Sequence, residues 1–342
     1  MTTSYRPAAS PDRRPQAPVR LRVREPADLL ATVPYLLGFH PTESLVALFL
    51  RDGRVLLAAR FDLSRGLVEE VADLVEQHAV TGLVLVAYAA DQARGRAVLE
   101  KHRDGPAGVE LVDLLLVDGR RWWSLACTTG CCPEDGRAYA PSEHPISAEA
   151  VYAGLVARPD RESVVATVAG PPEPDWAGLR LRVAALGPGV DAGTPPRRQD
   201  ALGRAVVDAL ARVAGLGPDG GATAPGDDDL LVLALLARET VVRDVACALV
   251  TREDARRHVD LWSAVVRRVP PELACAPLGV LGIAAWADGN GTLLNACCER
   301  LERLDPSYPM GRLLSDVSRR ALAPAWWDAL ADGLRHDLGM AR

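Results

Sequence analysis

Three cysteines that lie close together are the first residues whose types and spacing suggest chemistry. Cys127, Cys131 and Cys132 follow shortly after the adjacent tryptophans Trp122 and Trp123. Thiolates bind zinc, and three residues between two cysteines is an acceptable spacing for half of a structural zinc site. Two neighbouring thiols can instead form a reversible disulfide, here between Cys127 and either Cys131 or Cys132. A cysteine that does neither packs as a small hydrophobic side chain.

A complete structural zinc site needs four ligands, and the second pair is missing from this segment. His144 is the nearest further ligand, and Cys275 or Cys297 could approach only through the fold. We therefore expect the three thiols to be chiefly structural, packed where a strand leaves its sheet, and we predict no bound cofactor. The alternative is zinc, or a redox-active disulfide, at the three thiols and His144.

A second candidate site is the turn at residues 38–44. It joins the predicted end of a helix to the first long strand, a position at which backbone groups and a serine could face a cleft. The same residues also have structural uses, because a glycine ends a helix, a proline fixes a turn and a phenylalanine enters a core. With the two tryptophans included, the candidate ligand-binding residues are Gly38, Phe39, His40, Pro41, Ser44, Trp122 and Trp123.

Nucleophilic catalysis would need a thiol or hydroxyl beside a histidine that removes its proton. Cys127 with His144 or His40, and Ser44 with His40, are the pairs considered. None of these residues lies in a recognised nucleophile elbow. Lysine chemistry is restricted to Lys101, the single lysine of the chain. The sequence therefore assigns no catalytic residue.

The hydrophobic pattern predicts that a mixed α/β sheet positions these residues. Two pairs of apolar runs each flank an Asp-Gly dipeptide, which is typical of a β-hairpin. A continuous apolar run predicts a strand buried on both faces, with helical spacing before and after it. The predicted order is strand 44–50, strand 54–62, helix 66–78, strand 82–88, helix 91–102, strand 109–117 and strand 120–127. The fold class of this part is α/β, with the cysteines at the end of the last strand.

Composition divides the chain into four parts. Residues 1–19 predict a disordered tail, and residues 171–197, rich in proline and glycine, predict a linker or a long surface connection. The mixed-sheet domain lies between them, at 20–170. Residues 198–338 carry apolar side chains at helical spacing and predict an all-helical domain. Within it, residues 276–306 approach the spacing of one tetratricopeptide-like helical hairpin, with an ordinary helical bundle as the alternative.

Charge and composition exclude several classes of protein. A net charge of −6 and a pI near 5.6 give no general attraction to nucleic acid. No apolar run approaches the roughly 18 residues of a membrane-spanning helix, and the first residues lack the apolar stretch of a secretion signal. Seven cysteines, an odd number, indicate reduced thiols. We therefore expect a cytoplasmic protein without membrane or nucleic-acid partners.

Several motifs together resemble one family. They are VPYLLGFHPTESLV at 33–46, the segment from RWWS at 121–124 to CCP at 131–133, the pair Arg243-Asp244, and the segment from AAW at 284–286 to Asp305-Pro306. On these motifs the chain resembles the actinobacterial domain of unknown function 4192 family over nearly all of residues 20–335. The resemblance implies a bacterial, cytoplasmic setting. It implies no activity, cofactor or catalytic residue.

These observations favour a non-enzymatic protein that binds or regulates another protein, because helical hairpins offer grooves for partners and no catalytic group is complete. The alternative is an enzyme or small-ligand binder that uses the 38–44 turn and the cysteine segment 127–132. A protein partner is expected first and a small molecule second.

Overall fold

The computed structural model describes residues 21–64, 70–127, 130, 132–186 and 225–340. The predicted tail at 1–19, the second part of the predicted linker and the beginning of the predicted helical domain lie outside these residues, as does Cys131. Within them the predicted fold class is confirmed. A mixed sheet with covering helices comes first, and a helical region follows.

The described part of the chain contains one six-stranded sheet with the strand order β2-β1-β3-β4-β5-β6. Strands β3 and β4 are parallel, and the other neighbours are antiparallel. The strands are β1 Ser44–Arg51, β2 Arg54–Asp62, β3 Gly82–Tyr88, β4 Glu110–Val117, β5 Arg121–Ser124 and β6 Arg137–Ala138. The two-residue β6, at the sheet edge, is the strand that the sequence pattern did not predict.

The hairpin of β1 and β2 closes through a two-residue turn. Asp52 and Gly53 have φ angles of 52° and 71°, both in the left-handed region. Two such residues are what a type I′ turn requires, and its twist matches that of the flanking strands. The Asp-Gly signal therefore predicted this hairpin correctly, and with it the position of Ser44 at the first residue of β1.

Strand β3 lies in the middle of the sheet, and all of its residues are buried. Its alternate side chains enter two different cores, because helices cover both faces of the sheet. Helices α2 (Glu70–Gln77) and α3 (Gln92–Glu100) cover one face, and α1 (Pro26–Leu37) covers the other. The continuous apolar run predicted this two-sided burial.

The chain continues as a series of helices after the sheet. The described ones are α4 Pro145–Tyr152, α5 Arg161–Val165, α6 Trp176–Leu186, α7 Asp227–Leu236, α8 Thr240–Ala248, α9 Ala255–Val266, α10 Cys275–Ala287, α11 Gly291–Leu304, α12 Pro309–Arg319 and α13 Ala325–Asp337. Among the described helices, none combines the length and the apolar composition needed to cross a membrane.

Part of the stretch predicted as a linker is helical. Leu179, Val183 and Leu186 lie on one face of α6, at positions i, i+4 and i+7, and pack partly buried against the main core. The sequence did not reveal this helix, because apolar residues also lie on its exposed face, where Leu181 is 74% exposed. Because residues 187–224 lie outside the described part, the boundary between linker and helical region stays a prediction.

One hydrophobic core extends from the sheet into the helical region. It combines α1, one face of the sheet and buried side chains from α7 to α13. Polar contacts join the same parts, since the buried Arg300 of α11 donates a hydrogen bond to the Val168 carbonyl and Arg161 of α5 pairs with Glu299. The division into two domains stays a prediction, and the two parts share this core.

Helix α10 lies at the centre of the helical region and is buried almost all round. It forms a helical hairpin with α11 at the predicted position, and α12 packs across both helices. A Cβ atom added at Gly279 or Gly282 would lie 2.5 Å from Met310 Sδ or Leu314 Cδ1 of α12. A side chain at either position would therefore require Met310 or Leu314 of α12 to shift.

Candidate functional site

The 38–44 turn is held by its own backbone and by the core. Gly38 ends α1 with a φ of 79°, and Phe39 is buried in the main core. The backbone N–H of His40 donates to the Arg158 carbonyl at 2.9 Å, and the Arg158 N–H donates to the Gly38 carbonyl at 2.8 Å. Pro41 is buried as well. Gly38 thus ends the helix and Phe39 enters the core, which are the structural roles predicted for these two residues.

Ser44 is buried, and its hydroxyl already has two hydrogen-bond partners. Its Oγ donates to the Thr42 carbonyl at 2.6 Å and accepts from Arg60 Nε at 2.8 Å. Arg60 also forms an ion pair with Asp62. In the described part of the chain no hydrogen bond joins Ser44 to His40, whose pKa is lowered by burial. The structure therefore does not assemble the serine-histidine pair.

Glu43, which the sequence analysis missed, occupies the carboxyl end of the parallel pair β3-β4. Its Oε1 accepts from the Ala90 backbone N–H at 2.9 Å, and its Oε2 lies 3.2 Å from Arg94 Nη1 at the start of α3. Ligands of α/β folds usually bind at this end of the strands, and anions bind at helix N-termini. The Glu43 carboxylate takes the place that an anionic ligand would need.

Trp122 and Trp123 point to opposite faces of the sheet, as alternation along a strand predicts. Trp122 belongs to the core shared with the helical region and Trp123 to the core under α2 and α3. Their exposed fractions are 5% and 6%, so neither ring lines an open cleft. The Arg137 guanidinium lies 5.8 Å from the centre of the Trp122 ring, a cation-π distance.

Trp123 anchors the turn that follows the cysteine segment. Its Nε1 donates to the Glu134 carbonyl at 3.0 Å, and the ring lies against Gly136, where a Cβ atom would overlap it. Gly136 has a φ of 72°, in the left-handed region that favours glycine. Both tryptophans thus pack in a core, and Trp123 also fixes the turn.

Cys127 and Cys132 are half-buried, and Cys131 lies outside the described residues. The ligand atoms of Cys127, Cys132 and His144 do not come within 4.8 Å of one another as a group in the described part. Because Cys131 lies outside the described residues, a metal or redox site formed by the three thiols and His144 stays a prediction. The zinc and disulfide alternatives at the three cysteines stay predictions, as does the structural role.

His144 instead lies beside the first turn of α1. Its Nε2 is 3.4 Å from Asp28 Oδ1, and ligand atoms of Glu25, Asp28 and His144 lie within 4.8 Å of one another. By distance these residues could hold a metal ion. The same side chains cap helices through their other polar atoms, since His144 Nδ1 accepts from the Ile146 N–H and Asp28 Oδ2 accepts from the Arg24 and Glu25 N–H groups. Two positive helix N-termini meet here and disfavour a cation, so the contact joins α1 to α4.

Tyr88 is the last residue of β3 and lies opposite Ser44 in the register of the sheet. Its ring packs edge-on against Tyr139, with 6.3 Å between the ring centres. Burial raises the pKa of Tyr88 well above its ordinary value and raises the pKa of Tyr139 to about 12. Both phenols are therefore neutral near pH 7, and neither supplies a base for catalysis.

A cavity of about 530 Å³ lies between α6, α7 and α9. Basic and acidic side chains at its rim pair with each other, because Arg268 Nε lies 2.6 Å from Asp227 Oδ1 and Arg182 Nη2 lies 2.5 Å from Asp228 Oδ1. Among the described residues, these ion pairs leave no set of side chains at the cavity that indicates a defined ligand.

His258 on α9 is fully buried, and its two ring nitrogens have no hydrogen-bond partner in the described part of the chain. Burial lowers the pKa of His258, and the nearby Asp254 opposes that shift. The unfolded chain then takes up a proton near pH 6.5 that the folded chain excludes. We predict full stability above that pH and a loss of about 1.4 kcal/mol per pH unit as pH falls from 6.5 toward the folded pKa.

Urea unfolding at several pH values between 7.5 and 5 checks this prediction. The variant His258→Gln should show a shallower loss of stability with falling pH, because the buried imidazole is removed. The exposed His336 is the matched control, and His336→Gln should leave the slope unchanged. Equal slopes for the wild type and His258→Gln would contradict the assignment.

The exposed face of the last helix carries an apolar stripe, which we call the α13 stripe: Trp326, Ala329, Leu330 and Gly333. The exposed fractions of Trp326 and Leu330 are 61% and 52%, and the space where a Gly333 side chain would lie is open. The sequence alone did not indicate this stripe. The sequence feature that could have pointed to it is the pair of adjacent tryptophans at 326 and 327. A helix can bury only one of two adjacent side chains on a given face.

The opposite face of α13 is firmly packed. Trp327 and Ala331 are buried, and Trp327 Nε1 donates to the Val250 carbonyl at 2.9 Å. The Trp327 ring meets Trp286 of α10 edge-on, at 5.9 Å between ring centres. Arg335 Nε also donates to the Ala248 carbonyl. The α13 stripe is therefore presented by a rigid support.

A family model described as "Domain of unknown function (DUF4192)" matches residues 26–325. The match includes the 38–44 turn, the paired tryptophans, the cysteine segment and the helical hairpin. No curated protein and no solved structure matches the chain.

Proposed function

Because the chain belongs to the family of domain of unknown function DUF4192, whose description carries no activity, we infer its function from its surface. We propose that it is a non-enzymatic protein that binds another protein through the α13 stripe. The observation that supports this proposal is that Trp326 and Leu330 are exposed side by side on a well-anchored helix. Tryptophan is enriched among the residues that dominate binding energy at interfaces. Apolar residues at i, i+3, i+4 and i+7 are the pattern by which a helix docks into a groove.

The sheet region supports the same proposal, because several of its polar side chains are already engaged in contacts within the protein. The Ser44 hydroxyl and the Glu43 carboxylate are engaged by neighbouring residues. The buried phenols of Tyr88 and Tyr139 are neutral near pH 7. A general base or nucleophile needs a side chain within reach of a substrate. These side chains are used to hold the fold, which leaves the exposed helix as the better candidate.

The proposal predicts that truncating the α13 stripe removes partner binding without unfolding the protein. The purified chain, immobilised and exposed to an extract of the cells that produce it, should retain one dominant protein, and Trp326→Ala with Leu330→Ala should lower its recovery at least about tenfold. Both side chains are mostly exposed, so the free energy of unfolding should change by less than about 1 kcal/mol.

Tyr152→Ala is the matched control, because Tyr152 is 90% exposed and lies on α4, away from α13. This variant should retain the partner as the wild type does. Equal recovery with the stripe variant would contradict the proposal. A metabolite that co-purifies stoichiometrically and is lost on changing the 38–44 turn would favour a small-ligand binder instead.

A further inference from the structure

The α13 stripe has an order of side-chain sizes that is complementary to itself. Along the helix a large side chain is followed by a small one, a second large one and a position without a side chain. These are Trp326, Ala329, Leu330 and Gly333. Trp326 and Gly333 are seven residues apart, or about 10 Å along the axis. When a second copy of the helix is laid antiparallel about a two-fold axis between 329 and 330, Trp326 meets Gly333 and Ala329 meets Leu330 at both ends.

We propose that the α13 stripe is the interface of a homodimer in which the α13 helices of two copies lie antiparallel. Each Trp326 ring fills the open space at Gly333 of the other copy, and each Leu330 lies over Ala329. A two-fold interface requires this reciprocity, since residue i contacts j while j contacts i. The inference rests on the proposed function, that the α13 stripe binds a protein, and names the partner as a second copy of this chain.

Charge favours the antiparallel orientation. Asp337 continues the line of the stripe at the carboxyl end of α13, seven residues after Leu330, and is exposed. Arg320, also exposed, lies just before the helix begins. In the antiparallel arrangement Asp337 of one copy approaches the segment that carries Arg320 of the other. A parallel arrangement would bring the two Asp337 carboxylates together and place Trp326 against Trp326.

The area of the stripe sets the expected strength of this dimer. The exposed part of Trp326 corresponds to roughly 90–150 Å². Two copies of the stripe together then bury on the order of 600 Å², against the ~1,200 Å² at which stable interfaces begin. Because this area is about half of that threshold, the dimer is expected to be weak and reversible and to dissociate on dilution.

Sedimentation equilibrium between about 1 and 500 µM tests the proposal on the full chain. The wild type should pass from monomer to dimer within this range. Gly333→Trp should remain monomeric throughout, because it fills the space that receives Trp326. Its free energy of unfolding should not fall, since nothing lies within 4 Å of that position and glycine is a poor helix former. The double variant Trp326→Ala with Gly333→Trp exchanges large and small and should restore the dimer.

A wild-type chain that stays monomeric at 500 µM overturns the inference. A Gly333→Trp variant that still dimerises, or a double variant that does not, overturns the antiparallel pairing. The proposed function fails separately. If a different protein is retained through Trp326 and Leu330 by a monomeric chain, the stripe still binds a partner and the homodimer alone is wrong. If neither self-association nor capture depends on the stripe, both are wrong.

Discussion

Replacing Trp123 with alanine is expected to lower the free energy of unfolding by about 3–5 kcal/mol. The indole is almost fully buried in the core under α2 and α3 and leaves a large cavity when it is removed. The Glu134 carbonyl loses the hydrogen bond from Nε1, and Gly136 loses the ring against which it packs. The turn after the cysteine segment should therefore loosen together with the core.

Chemical denaturation measures the loss, and two variants serve as controls. Trp123→Phe keeps most of the buried ring area but not the N–H donor, so it should cost about 1–2 kcal/mol. Trp326→Ala makes the same chemical change at an exposed position and should cost less than about 1 kcal/mol. Similar losses for Trp123→Ala and Trp326→Ala would show that Trp123 does not anchor this region.

Replacing Gly282 with leucine is the second change with a large expected effect, a loss of about 3 kcal/mol. Even a Cβ atom at this position would lie 2.5 Å from Leu314 Cδ1, and because the Leu314 side chain is fully buried, it can shift only by repacking its neighbours in the core. Helix α12 must then separate from α10, which opens the core of the helical region. The thermal unfolding midpoint should fall accordingly.

A pair of glycine-to-alanine variants isolates the packing contribution. Gly333→Ala places a methyl group in open space on an exposed helix face, so it should raise the free energy of unfolding by up to about 1 kcal/mol. Gly282→Ala gains the same helix propensity but meets Leu314, so it should be destabilising. If both variants were stabilising, the close approach of α12 to α10 would be refuted.

Local signals in the sequence predicted the sheet well. The Asp52-Gly53 turn, the two-sided burial of β3 and the opposite directions of Trp122 and Trp123 follow from turn chemistry and from the period of two along a strand. Each of these features depends on residues that are neighbours in the chain. The order of the strands β1 to β5 and of the helices between them could therefore be predicted from the sequence.

The contacts that the sequence did not reveal join residues far apart in the chain. Glu43 pairs with Arg94 of α3, Asp28 meets His144, and the exposure of Trp326 depends on which face of α13 the other helices cover. A single sequence contains no record of such pairings. Helix α6 was missed for a different reason, since its apolar residues lie on both its packed and its exposed faces and give no helical periodicity.

Amide hydrogen exchange tests most directly the claim that the chain works by binding a protein through α13. Exchange would be compared between the dilute free chain and the same chain saturated with its partner, whether a retained protein or a second copy at high concentration. We predict that protection increases in peptides covering residues 325–337 and stays unchanged at 38–44. Protection at 38–44 with no change at 325–337 would contradict the account and point to the sheet region as the functional site.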